Sequence, residues 1–111
     1  MVARLPERGD LWWVALDPTI GSEIRKTRPC LILSANLINE HRRTVLAVPV
    51  SSSPTAHPPI TVAVHCGEKA GVAIVDQLRA ISKDRLRNFI ERAKPEEVDA
   101  VVKALLTLIE A

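Results

Sequence analysis

The sequence predicts a mainly β protein with one C-terminal helix, an α+β fold in which a small barrel carries the helix packed on it. Two observations support this prediction. Five to seven short apolar segments, separated by turn residues, fill the chain up to residue 92. After Pro95 the apolar residues take the spacing of an amphipathic helix.

The first three strands are predicted from short, dense apolar runs. Leu11–Leu16 is apolar on both faces, which is typical of a strand that is covered on both sides or closes a barrel. Cys30–Ser34 and Thr44–Val50 are the second and third runs. Pro49 cannot donate a backbone hydrogen bond, so its place near the end of the third run predicts an edge strand or a bulge.

The middle of the chain alternates a loop with strands. Three serines and three prolines in Ser51–Pro59 predict a loop, because this composition cannot continue a strand. Ile60–Val64 alternates large and small apolar residues and is predicted as a half-buried strand. A further strand region spans Gly71–Ile81 and is divided at Asp76-Gln77.

The last part of the chain predicts a capped turn, a short strand and a helix. Ser82 can cap a single helical turn through Arg85, and Asn88–Arg92 is the last strand. Pro95 suits the first position of the helix, where its missing N–H costs nothing. The predicted apolar face of the helix consists of Val98, Val101, Val102, Leu105, Leu108 and Ile109.

The composition predicts one domain, 1–111, with a mildly basic body. The chain has 111 residues, of which 47% are hydrophobic, and a net charge of +2. Residues 1–94 carry 14 Lys and Arg against 9 Asp and Glu, whereas residues 95–111 carry one Lys against four acidic residues. An excess of positive charge in the body is what an anion-binding surface requires.

Several classes of site and location are not expected. No segment has the apolar length of a membrane helix, and the N-terminus lacks the apolar core of a signal peptide, so a cytoplasmic protein without a membrane partner is expected. Cys30 and Cys66 have neither metal-binding nor redox spacing. The acidic and His residues are scattered and the four glycines form no phosphate-binding loop, so we expect no metal and no cofactor.

The most informative run is Arg8–Pro29, which joins an apolar strand to a long polar loop with several cations. Its pieces are Arg8-Gly9-Asp10, the aromatic pair Trp12-Trp13, Asp17-Pro18, Gly21-Ser22-Glu23 and a basic stretch ending in Arg28-Pro29. In this order they resemble the opening of the MazF/PemK toxins, the sequence-selective endoribonucleases of bacterial toxin–antitoxin pairs. The resemblance extends from Arg8 through the C-terminal helix.

The resemblance implies a Src-homology-3-like barrel of the MazF/PemK/CcdB type. It implies a homodimer that binds single-stranded RNA in grooves at or near its interface. Cleavage would be metal-independent: the 2′-OH attacks the adjacent phosphate and leaves 2′,3′-cyclic phosphate and 5′-hydroxyl ends. The resemblance also implies a cognate antitoxin whose disordered acidic segment competes with RNA for the basic surface.

Arg28 is the first catalytic candidate. An arginine fork meets two phosphate oxygens at once and therefore suits stabilisation of the charge on a phosphorane. Pro29 behind it restricts the local backbone. The alternative interpretation is a solvated residue at the entry of a strand.

Ser51 is the second catalytic candidate. In the resembling family the third strand ends in a Pro-Ile-Thr-Ser-like motif, and here the motif is Pro49-Val50-Ser51-Ser52. Ser51 keeps a hydroxyl that can bond a phosphate oxygen but lacks the methyl group that restricts the rotamer of Thr. Ser52 or Ser53 could serve instead, and a serine bonding its own backbone is the structural alternative.

Five residues are candidates for binding RNA: Arg25, Lys26, Ser52, Gln77 and Arg79. Arg25 and Lys26 would hold flanking phosphates, or else belong to a solvated loop. Gln77 and Arg79 match a family segment, Asp/Glu-Gln-(Ile/Leu)-Arg, that lies near the RNA groove. Gln77 is either a reader of a base edge or a buried amide that ties strands together.

The sequence leaves the proton acceptor open. Arginine is a poor acceptor at neutral pH. His57 has a suitable intrinsic pKa and lies in the loop after Ser51, although a lone loop histidine is usually just exposed. Trp12 and Trp13 are candidates for stacking on bases, with burial as the commoner fate of at least one of them.

Two other functions are alternatives. A CcdB-like inhibitor of DNA gyrase shares the implied fold, but that family uses a Trp-Gly-Ile end, whereas this chain ends in Leu108-Ile109-Glu110-Ala111. The other is a catalytically inactive module that binds RNA or antitoxin, which only the departure at Ser51 supports.

Overall fold

The computed structural model describes residues 4–16, 27–53 and 55–110. Within them the chain forms β1 (Asp10–Ala15), β2 (Thr27–Ile32), α1 (Asn36–His41), β3 (Thr44–Ser51), β4 (Thr61–Cys66), β5 (Lys69–Ile74), β6 (Arg79–Ser82), β7 (Leu86–Arg92) and α2 (Pro95–Glu110). Single 3₁₀ turns occupy Val75–Gln77 and Lys83–Arg85. No helix in these ranges is both long and apolar enough to cross a membrane.

The strands form one antiparallel sheet that curls into a half-barrel. Their order is β4-β5-β3-β2-β1-β7, and β6 pairs with the first half of β3. The prediction of a mainly β protein with a C-terminal helix is therefore confirmed. The division predicted at Asp76-Gln77 is also confirmed, because the 3₁₀ turn there separates β5 from β6.

The central strands are buried on both faces of the sheet. One face, together with α2, buries Leu11, Leu31, Val48, Val98 and Val101 among others. The opposite face buries Trp12, Val14, Cys30, Ile32, Val45, Ala47 and Ile81. Cover on both sides explains why β1 and β2 are almost continuously apolar instead of strictly alternating.

Two strands differ from the sequence-based prediction in ways that affect the site. β2 begins at Thr27 instead of Cys30, and β3 continues to Ser51. β3 is also a central strand and not an edge strand, since it pairs with β2, β5 and β6. Pro49 is accommodated because it lies between Ala47, the last partner of β6, and Val50, the first partner of β5.

The short helix α1 was not predicted from the sequence. This helix has six residues, and its N-cap Ala35 makes no side-chain hydrogen bond, so local signals for it are weak. Tertiary hydrogen bonds hold it instead. The buried Asn39 side chain donates to the Ser34 carbonyl at 2.9 Å, and the Ser34 hydroxyl, which donates to Asn39, accepts from the Leu46 amide at 3.0 Å.

The capped turn and the helix at the end of the chain begin where the sequence predicts. The Ser82 hydroxyl accepts a hydrogen bond from the Asp84 amide at 3.2 Å, which confirms the predicted cap. α2 begins at Pro95, as predicted, and the Lys94 carbonyl accepts from the amides of the first helical turn. α2 covers the half-barrel with Val98, Val101 and Ala104.

A buried carboxylate joins the N-terminal turn to two strands. Asp10 is 0% exposed at the start of β1. Its Oδ2 accepts from the Glu7 amide at 2.9 Å and from Trp12 Nε1 at 3.2 Å. Its Oδ1 accepts from Arg92 Nη1 of β7 at 3.0 Å and from Arg4 Nη2 at 3.3 Å. Four donors compensate the cost of burying this charge.

We predict that Asp10→Ala destabilises the protein by about 1–3 kcal/mol, because the buried Trp12 Nε1 loses its acceptor and the N-terminal turn loses its link to β7. Urea unfolding followed by circular dichroism measures this change. The matched control is Glu7→Gln, which removes an exposed carboxylate bound to the same Arg92 at 3.1 Å. The control is expected to cost less than about 1 kcal/mol. Equal losses in the two variants would contradict the assigned role of Asp10.

Candidate functional site

A cleft of about 700 Å³ opens where β2 and β3 meet the β4–β5 hairpin. The β2 side contributes Thr27, Arg28 and Pro29, and the end of β3 contributes Val50, Ser51 and Ser52. The hairpin supplies the facing wall, residues 66–71, and Trp13 and Ile90 complete the lining. The two catalytic candidates from the sequence thus lie in one cleft.

Arg28 and Ser51 are brought together by strand register. Cys30 pairs with Pro49 and Leu31 with Val48, and the same register carried two residues further sets Arg28 across from Ser51. The Arg28 side chain is exposed, and no hydrogen bond or ion pair within the described ranges occupies its guanidinium. Its five donors are therefore available to an anion in the cleft.

Gly71 sets the position of Ser51. Ser51 pairs with Val72 of β5, the residue after Gly71. A Cβ atom placed on Gly71 would overlap the carbonyl oxygen of Ser51. The missing side chain therefore lets β5 lie directly against the end of β3.

The hairpin wall is fastened to β7 and α2. Gly67, with φ +65°, takes the left-handed conformation that the tight turn between β4 and β5 requires, and its amide donates to Glu91 Oε2 at 2.6 Å. The His65 amide donates to Glu97 Oε1 at 2.8 Å, and His65 Nδ1 lies 2.6 Å from Glu97 Oε2. These contacts fix the turn relative to the rest of the half-barrel.

Two charged residues of the hairpin were not recognised from the sequence. Glu68 and Lys69 line the cleft, and both are exposed without a hydrogen-bond or ion-pair partner in the described ranges. The signal that could have found them is Gly67 between two alternating apolar segments, which is typical of a hairpin turn. The sequence does not show that this turn faces Arg28.

The two tryptophans have different environments. Trp12 is buried, donates to Asp10 and contacts Phe89 edge to face with ring centroids 5.9 Å apart. Trp13 is 40% exposed and lines the cleft. Only Trp13 of this pair can therefore contact a bound molecule.

The titratable groups near the cleft differ in what they can supply. Burial raises the pKa of the Cys66 thiol, with the nearby Glu91 carboxylate adding to the effect, so this thiol stays protonated at neutral pH. Burial raises the pKa of Cys30 to about 12. His57 is exposed and lies outside the cleft lining.

The structure does not bring every predicted RNA-binding residue to the cleft. Ser52 lines it. Gln77 is exposed at the end of a 3₁₀ turn, and Arg79 is half-buried opposite Ala47; neither lines the cleft. Arg25 and Lys26 lie outside the described residues.

The chain is thus a small half-barrel β protein with a cation-bearing cleft at its strand ends. The family model of the PemK-like, MazF-like toxins of type II toxin–antitoxin systems matches residues 7–109. The chain therefore belongs to this family.

Individual relatives agree over nearly the whole chain. The chain is 35% identical to the endoribonuclease toxin MazF of Escherichia coli K12, over 98% of this chain and 99% of the relative. It is 30% identical to endoribonuclease EndoA of Bacillus subtilis, over 89% and 90%.

Solved structures of relatives share the fold over nearly the whole chain. The MazE–MazF form II structure from Deinococcus radiodurans has a TM-score of 0.84 at 27% identity, covering 97% of this chain and 98% of that chain. A mycobacterial endoribonuclease in complex with its cognate antitoxin has a TM-score of 0.76 at 25% identity, covering 97% and 96%.

We predict that Gly71→Ala lowers stability by about 1–3 kcal/mol, because the new methyl group forces β5 away from the Ser51 carbonyl. This loss exceeds the opposite effect, a stabilisation of about 0.4–1 kcal/mol from restricting the unfolded chain. Urea unfolding measures the loss, and the amide resonances of Ser51 and Val72 report the local shift. Ala70→Ser, at an exposed position of the same strand, is the control. Wild-type stability of Gly71→Ala would contradict the close approach.

Proposed function

We propose that this protein is the toxin of a toxin–antitoxin pair, a sequence-selective and metal-independent endoribonuclease that cleaves single-stranded RNA. The observation that carries the proposal is the Arg28 fork, which has no hydrogen-bond or ion-pair partner among the described residues and lies in one cleft with the Ser51 and Ser52 hydroxyls. Family membership and the endoribonuclease names of the relatives support the reaction class.

The proposed reaction uses a nucleophile that belongs to the RNA. The 2′-oxygen forms a bond to the adjacent phosphorus, and the bond from phosphorus to the 5′-oxygen breaks. The 2′-hydroxyl loses its proton, and the departing 5′-oxygen gains one. The products are a 2′,3′-cyclic phosphate and a 5′-hydroxyl.

Arg28 and Ser51 have separate roles in this scheme. Negative charge accumulates on the non-bridging oxygens of the phosphorane, and the Arg28 fork binds two oxygens in a geometry that a point charge cannot reproduce. The Ser51 hydroxyl donates to the phosphate and orients it. Because arginine is a poor proton acceptor, the role proposed for Arg28 is electrostatic stabilisation.

A cognate antitoxin and a homodimer complete the proposal. Complexes with an antitoxin are known for a mycobacterial structural relative, and an acidic segment would be attracted to a body that carries an excess of Lys and Arg. Leu37 and Ile38 of α1 and Leu46 of β3 are large apolar side chains exposed on two elements in contact, and a second copy would cover them. We place both partners, and the RNA substrate, in the cytoplasm.

The reaction type is tested by incubating the purified protein with a long defined RNA in excess EDTA and mapping the new ends. We expect cleavage to persist, because the charge on the phosphorane is met by a guanidinium. The new ends should be 5′-hydroxyl and 2′,3′-cyclic phosphate. Strict dependence on Mg²⁺ or 5′-phosphate products would refute the mechanism, whereas intact RNA would refute the activity itself.

We expect Arg28→Ala to lower the cleavage rate by roughly 10²–10³, the usual effect of losing a donor to a developing charge. Arg28→Lys should restore little, because an ammonium cannot bind two oxygens as a planar fork does. Single-turnover rates measure both effects. The control is Arg42→Ala, an exposed arginine that follows α1 and lies outside this cleft. A folded Arg28→Ala variant that cleaves normally would make Arg28 a structural residue only.

At position 51 we expect the hydroxyl to matter more than the residue type. Ser51→Thr should stay active, and Ser51→Ala should lose most of the activity, because only the alanine removes the donor to the phosphate. Ser53→Ala is the matched control, since Ser53 is described in the same segment but does not line the cleft. Equal rates for Ser, Thr and Ala at position 51 would transfer the role to Ser52.

A further inference from the structure

The cleft contains a negative charge that binding of a polyanion does not explain. Glu68 is exposed in the turn of the β4–β5 hairpin, lines the cleft and has no partner within the described ranges. A carboxylate accepts hydrogen bonds and cannot donate them when ionised, so it repels phosphate oxygens. The Glu68 carboxylate on this wall would therefore favour a bound molecule that offers it a hydrogen-bond donor.

The hairpin holds Glu68 in a defined place. The preceding residue, Gly67, is bound through its amide to Glu91 of β7 at 2.6 Å. On the β4 side, His65 is bound to Glu97 of α2 through both its amide and its ring. A side chain on a fixed turn loses less conformational freedom on binding than one on a mobile loop, which suits selective recognition.

The distance along β5 separates Glu68 from the reacting phosphate. Gly71 lies against the Ser51 carbonyl, and three residues of chain lead from Gly71 back to Glu68, about 10 Å at the rise of an extended strand. Glu68 is therefore placed beside the Arg28–Ser51 pair and not on it. If RNA binds with its reacting phosphate at Arg28 and Ser51, as proposed, Glu68 would reach a neighbouring nucleotide and not that phosphate.

We infer that Glu68 is a specificity-determining residue, which accepts a hydrogen bond from the exocyclic amino group of a base next to the cleaved bond. This inference rests on the proposed function. Single-stranded RNA exposes the Watson–Crick edges of its bases to side chains. Adenine, cytosine and guanine each present an amino group there, and carboxylates accept from such groups. Uracil has no amino group, and its single N3–H donor lies between two carbonyl oxygens that repel a carboxylate, so Glu68 disfavours uracil at this position.

Lys69, next to Glu68, supplies a positive charge on the same wall of the cleft. Its ammonium lies on the same wall, is exposed and has no partner in the described ranges. An ammonium is a point charge that binds a phosphate without selecting a base. Lys69 thus offsets the repulsion between Glu68 and the RNA backbone, and Glu68 alone supplies the discrimination.

The test compares cleavage profiles on an RNA library with a randomised segment. The proteins are wild type, Glu68→Gln, Glu68→Ala and the control Glu96→Gln, an exposed carboxylate of α2 outside the cleft. We expect wild type to disfavour uracil at one position next to the cut. Glu68→Gln should admit uracil there, because its amide can donate to a carbonyl, and should cut the preferred sequence roughly 10- to 100-fold more slowly.

Other outcomes overturn the inference. An unchanged base preference in both Glu68 variants would remove the assigned role, whatever the rates. An equal loss of rate on every sequence, with an altered pH profile, would indicate proton transfer instead of recognition.

A binding experiment separates this inference from the proposed function. If wild type cuts no RNA, the proposed activity fails, and affinity for 2′-deoxy oligonucleotides with each base at each position still tests Glu68. A loss of preference against uracil or thymine in Glu68→Gln would support the inference, and identical base preferences would overturn it.

Discussion

The structure depends on one buried carboxylate. Asp10 draws the N-terminal turn, Trp12 of β1 and Arg92 of β7 to a single charge that is wholly removed from solvent. The carboxylate is buried and therefore depends on these donors to offset the cost of its desolvation, although the two arginines also reach solvent. The register between β1 and β7, which contains two shifts, is anchored at this end by the ion pair.

Two sets of contacts connect the residues around Asp10 to the cleft. β1 pairs with β2 and so carries Arg28 at the start of that strand. On the other side, Glu91 is the neighbour of Arg92 in β7 and accepts the amide of Gly67 at the hairpin turn. The cation and the wall that faces it are thus positioned by the same group of residues. A rigid support of this kind is what preorganised charge stabilisation requires.

The proposed function assigns both general and selective recognition to the cleft. Arg28 and Lys69 offer positive charge to any phosphate, Trp13 offers an exposed aromatic face, and Glu68 offers an acceptor that only some bases satisfy. Attraction to the backbone gives affinity without sequence information, whereas contacts to base edges give selectivity. Both kinds of group occur on elements that the fold holds together, and this agrees with membership of a family of toxins whose relatives are named endoribonucleases.

The sequence by itself determined the features that depend on local signals: the dense apolar strands, the Ser82 cap, the start of α2 at Pro95 and the candidates Arg28 and Ser51. It did not predict α1, because six residues without a side-chain cap give a weak local signal, and hydrogen bonds from Arg8 and Leu46, both distant in sequence, help to hold this segment. Nor did it place Pro49 in a central strand. Pro49 is tolerated there because it lies between the part of β3 that pairs with β6 and the part that pairs with β5, and both pairings join residues distant in sequence. Only the tertiary structure decided that Glu68 and Lys69 face Arg28, that Trp13 is exposed while Trp12 is buried, and that Gln77 and Arg79 lie elsewhere. A period of two residues assigns side chains to a face of a strand, but curvature and long-range pairing decide which faces meet across a cleft.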